Sequence, residues 1–75
     1  MVKLARLRAV RERKPMTQEE LAKAAGINRV TIAKIESGRV EPYPATVRKI
    51  AAALDVQPFE LMGPEEEDEV KALAA

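Results

Sequence analysis

The sequence predicts an all-α domain of five short helices around one apolar core. Three observations lead there. Alanine and the aliphatic residues supply nearly all the apolar content, with one Phe, one Tyr and no Trp, while charged residues make up 33% of the chain. That mixture favours helix over sheet. Apolar residues recur at three- and four-residue spacing, and no segment alternates convincingly as a half-buried strand would. Proline, glycine and helix-capping residues punctuate the chain at helix-length intervals.

Each element has its own signal. Residues 3–14 form the first helix, with Leu4, Leu7 and Arg11 on one stripe and Val10 beside it, before Pro15 stops it. Arg11 occupies a place expected for an apolar residue, so it either snorkels outward or finds a partner. Thr17-Gln-Glu-Glu20 fits a capping box, with Met16 and Leu21 as a hydrophobic staple. Leu21, Ala22 and Ala25 make the inward face of that second helix, and Gly26 suits its left-handed end. Asn28 is a good N-cap for a third helix reaching Ser37. Ile32 and Ile35 define its buried side. Val30 then lies roughly 170° away, sharing the outer face with Lys34 and Ser37, with Arg29 on the flank. Residues 39–44 are a loop. The fourth helix spans Pro44 to Leu54, with Val47, Ile50, Ala51 and Leu54 inward, and proline suits its first turn. Pro58 to Met62 makes a last short helix that closes the core with Phe59 and Leu61.

A chain of 75 residues is one domain, here residues 1–63, followed by an acidic tail at 64–75. Without cysteine or histidine there is no disulfide, no catalytic thiol or imidazole and no zinc site of the usual kind, so neither metal nor cofactor is expected. No apolar run approaches the ~18 residues of a membrane span. No secretory signal is read at the start, so a cytoplasmic location is the expectation. The net charge of +1 hides an asymmetry: residues 1–59 carry 12 basic and 6 acidic side chains, and residues 60–75 carry one basic and six acidic. A basic body points to a polyanionic partner. The run Glu65 to Glu69 is expected to stay solvated and to weaken non-specific binding of a polyanion, while Val70 to Ala75 is too short to hold a helix alone.

The stretch from Thr17 through Gly26-Ile27-Asn28 to Ile35-Glu36-Ser37-Gly38 resembles the helix-turn-helix of the Cro and phage-repressor family. The similarity continues through Arg39, Pro42, Thr46, Ile50, Ala51, Leu54 and Val56 and covers roughly residues 3–62. The resemblance implies a five-helix, lambda-repressor-like domain, usually dimeric, that binds double-stranded operator DNA and regulates transcription. It implies base contacts from Asn28, Arg29, Val30, Thr31 and Lys34, and phosphate contacts from Gln18 and Arg39. The chemistry suits those roles. An arginine can grip a guanine edge with two hydrogen bonds, and a surface valine can pack on a thymine methyl. The family often caps its fourth helix with serine or threonine. Tyr43 holds that place here and cannot cap in the same way.

Two further expectations concern structure. Arg11 and Glu36 should form an ion pair: each borders the core, where an isolated charge is costly, and the resemblance places a salt bridge there. A homodimer contact should avoid the third helix, which leaves Pro58, Phe59 and Met62 as candidates, with Phe59 standing between core and partner surface. Within DNA-binding regulators, a phage-type repressor, an antitoxin with a protein partner and a restriction–modification controller share these features. A protein-docking module of the same fold would show a contiguous apolar patch where Arg29, Thr31 and Lys34 stand. An enzyme is not expected, because Glu19 and Glu20 adjoin on one helix and no phosphate-cradling glycine loop exists.

Overall fold

The computed structural model describes residues 3–63, and everything expected of the acidic tail at 64–75 lies outside the described residues. The chain folds as α1 (Leu7–Arg13), α2 (Gln18–Ala25), α3 (Arg29–Glu36), α4 (Pro44–Leu54) and a single 3-10 turn, Pro58–Leu61. The described residues contain no strand. The all-helical class is as expected, but the fifth helix is a 3-10 turn of four residues rather than an α-helix.

Local signals built α2 and α3. The backbone N–H of Thr17 donates to Glu20 Oε1 at 2.9 Å, and the N–H of Glu20 donates to Thr17 Oγ1 at 3.0 Å. These bonds satisfy two amides that the helix itself leaves unpaired. Gly26 ends α2 at φ 69° and ψ 36°, a left-handed conformation that most side chains resist. The turn then delivers Asn28, whose Oδ1 accepts from the N–H of Val30 at 2.7 Å and starts α3.

The first helix is shorter than the expected 3–14. No side chain caps it, and Arg6 sits outside its first turn. The N–H of Arg6 donates instead to the carbonyl of Leu61 at 3.0 Å. That bond draws the start of the chain onto the 3-10 turn, and Leu4 is buried without being helical.

The core gathers Leu7, Leu21, Ile32, Ile50, Leu54 and Leu61, all essentially inaccessible. Ala22 and Ala25 are buried on α2, and these small side chains let α3 approach closely. Phe59 does not close the core as expected: it is 49% exposed, while Leu61 is fully buried. Residues two apart point to different sides of any helical turn, so with Leu61 inward Phe59 faces outward, and the three-residue period places Pro58 on the side of Leu61. Val56 and Met62 pack against the edge of the core.

Asp55 ends α4 at φ 56° and ψ 46°, the one residue other than glycine with positive φ among those described. Its carboxylate also sits at the negative end of the helix dipole. Asp55→Gly removes both penalties and is expected to stabilise the fold by about 0.5–1 kcal/mol, even after glycine's greater unfolded-state entropy. A urea midpoint that falls instead would show that the aspartate makes a compensating contact.

Glu20 is held below its ordinary carboxylate value by the backbone N–H of Thr17 first and the Thr17 hydroxyl second. A depressed folded-state value means stability that is complete above the unfolded value and is lost as pH falls through the folded one. An NMR titration of the Glu20 carboxyl should therefore show a low midpoint that rises in Thr17→Ala. An unchanged midpoint would leave the backbone N–H of residue 17 as the whole cause and remove the hydroxyl from the acid response.

Candidate nucleic-acid interface

The outward face of α3 is the most distinctive surface of the molecule. Val30 stands at its centre, 49% exposed, opposite the buried Ile32 and Ile35. Arg29 and Lys34 are exposed on either side, and neither has a carboxylate partner among the described residues. Asn28 is exposed at the start of the helix. Its carbonyl oxygen is held by the cap, which leaves its amide nitrogen and the second lone pair of that oxygen to meet a ligand. Thr31 is half-buried rather than exposed, because it lies about 70° from the centre of the buried side.

The end of α3 is closed by its own backbone. The carbonyl of Lys34 accepts from the N–H of Arg39 at 2.9 Å and from the Ser37 hydroxyl at 3.1 Å. Gly38, at φ 78°, makes that reversal possible. Arg39 is thereby anchored through its backbone at the foot of α3, with its side chain exposed. Exposed Val40 and Tyr43 follow in the loop, and Tyr43 makes no side-chain cap for α4, whose first residue is Pro44.

Behind this face lies a polar cluster joining three helices. Arg11 Nε donates to Glu36 Oε2 at 2.6 Å, and its terminal nitrogen donates to Oε1 at 3.1 Å. The other terminal nitrogen reaches the carbonyl of Met16 at 2.8 Å. The two side chains are only 11% and 5% exposed. Arg11 therefore pairs rather than snorkels, and Glu36 raises its guanidinium above the ordinary value, mainly through the hydrogen bonds. Gln18 Nε2 donates to the same Glu36 Oε1 at 3.0 Å. No buried side-chain nitrogen or oxygen among the described residues is left without a partner.

The structure thus brings Arg29, Val30 and Lys34 onto one face, with Asn28 and Arg39 at its two ends. Gln18 is half-buried at the start of α2 and held by Glu36. Pro58 and Met62 are half-buried, and Phe59 is exposed on the 3-10 turn. Sequence reasoning did not anticipate the Gln18–Glu36 bond, which spans 18 residues and has no local signal.

Two helices clasped by a left-handed glycine, the second offering a cationic face with no carboxylate partner among the described residues, define a module built to present one helix to a partner. The chain belongs to the helix-turn-helix family, whose model matches residues 7–61. It is 47% identical over 55 residues to RghRB, an uncharacterised HTH-type transcriptional regulator of Bacillus subtilis, covering 72% of this chain and 39% of that protein. The chain thus spans about two fifths of the length of that relative. Its fold is similar to the restriction–modification controller protein C.AhdI from Aeromonas hydrophila, with a TM-score of 0.75 and 35% identity over 81% of this chain and 94% of that one. It is also similar to the P22 c2 repressor solved in complex with a synthetic operator. There the TM-score is 0.72 and the identity 27%, over 83% of this chain and 94% of that one.

Proposed function

We propose that the protein binds double-stranded DNA sequence-specifically and regulates transcription, acting as a repressor, with α3 in the major groove. The observation that carries this reading is the exposed Arg29–Val30–Lys34 face on a helix fixed by the Gly26 turn. Arg29 reads a guanine edge, Val30 packs on a thymine methyl, and Lys34 serves a guanine or a phosphate. Asn28 and Thr31 border the bases. Gln18 and Arg39 hold the backbone on either side, which sets register without sequence information. The family membership and the likeness to an operator-bound repressor support the same reading. The likeness to C.AhdI favours control of a restriction–modification operon as a second role for the same DNA-binding mode.

One short helix reads one half-site, so the functional unit is a homodimer with two recognition helices about 34 Å apart on an inverted repeat. Phe59 is the strongest candidate for the partner surface, flanked by Pro58 and Met62. Phe59→Asp should give folded monomers by sedimentation; an unfolded protein would return Phe59 to the monomer core. Selection of bound sites from random DNA tests the whole proposal. It should return an inverted repeat with half-sites one helical turn apart, and recovery of no enriched sequence would refute specific binding.

A further inference from the structure

Glu36 does more than balance Arg11. Its Oε1 holds the side-chain amide of Gln18, the first residue of α2, from a position on the last turn of α3. A primary amide nitrogen carries two N–H groups, and Glu36 takes one of them. The other has no partner among the described residues. A carboxylate beside a phosphate-binding group would ordinarily repel the phosphate. Here its charge is matched by Arg11 through a two-pronged contact at 2.6 and 3.1 Å. What remains is an acceptor that restrains Gln18 and ties the start of α2 to the end of α3.

We propose that Glu36, neutralised by Arg11, is a positioning residue for DNA binding. It fixes the Gln18 amide so that its free N–H meets a phosphate already in register with the recognition helix. This rests on the DNA-binding reading above and adds a role for the ion pair beyond stability. A long surface side chain normally loses rotamer freedom only when its ligand arrives, and an anchored one has lost it in advance.

The test is a cycle of variants in the full chain, each checked for folding by thermal melting. Replacing the ion pair by apolar residues, Arg11→Met with Glu36→Leu, keeps the volume and removes the anchor. Gln18→Ala removes the anchored group. Each should weaken binding about three- to tenfold, equally for the preferred site and for scrambled duplex. The combined variant should bind no more weakly than Gln18→Ala alone. Losses that multiply, or an unaltered affinity in either single arm, overturn the proposal. Should the pair replacement not fold, the relaxation of the Gln18 side-chain amide in the free wild-type protein decides. An order parameter near the rigid value of about 0.85 supports anchoring, and one below about 0.6 overturns it. A wild-type protein that binds no duplex at all would instead defeat the proposed function.

Discussion

Truncating Glu36 to alanine is expected to lower stability by about 3–5 kcal/mol, the usual cost of leaving one member of a buried pair behind. Arg11 would keep only its bond to the Met16 carbonyl, and its guanidinium, 11% exposed, would face the core with an unmatched charge. Gln18 would lose its acceptor as well. The consequence is large because a domain of this size holds only on the order of 4–11 kcal/mol in total. Arg11→Ala should be damaging for the mirror-image reason. Replacing both residues by apolar ones of similar volume should be near neutral, since that removes two desolvation costs together with one attraction. Urea unfolding of the three variants separates these cases. A loss under about 1 kcal/mol for Glu36→Ala would mean that water reaches the abandoned guanidinium and that the pair behaves as a surface contact.

Arg29→Ala should reduce affinity for the preferred DNA by about 1–3 kcal/mol and relax selectivity at one base pair while leaving the others unchanged. The argument is geometric. Arg29 lies in the first turn of α3, exposed and free of any carboxylate among the described residues, so its donor fork is available for a guanine edge. Arg39, exposed in the loop at the foot of the same helix, is the control. Its loss should weaken all sequences alike and lower the salt dependence by about one counterion, as a phosphate contact does. Binding titrations against single-base operator variants, at two salt concentrations, read both effects. If Arg29→Ala weakens every variant equally, the residue is a phosphate ligand and base reading falls to Val30 and Lys34.

Much of the molecule was legible from sequence, and the legible parts share a cause. The capping box at Thr17, the cap at Asn28 and the left-handed turn at Gly26 form within a few residues, so a local string is enough to write them. The outward position of Val30 and Lys34 follows from helical spacing once Ile32 and Ile35 are taken inward. The Arg11–Glu36 pair spans 25 residues, yet two opposite charges bordering one core had few other places to go.

The rest was decided by contacts that no local pattern encodes. α1 starts late, and the amide at Arg6 is satisfied by the carbonyl of Leu61 at the far end of the domain. The final element is a 3-10 turn that buries Leu61 and exposes Phe59, a choice between core and surface that the sequence left open and packing against α1 and α4 made. Gln18, read from sequence as a phosphate ligand, is tied to Glu36 across 18 residues, a placement that exists only once α1, α2 and α3 have packed. Helix ends and buried faces were thus written by local hydrogen bonding and periodicity. The partners of polar groups at helix junctions were set by packing, because only the folded chain determines which donor and acceptor come within 3 Å of each other.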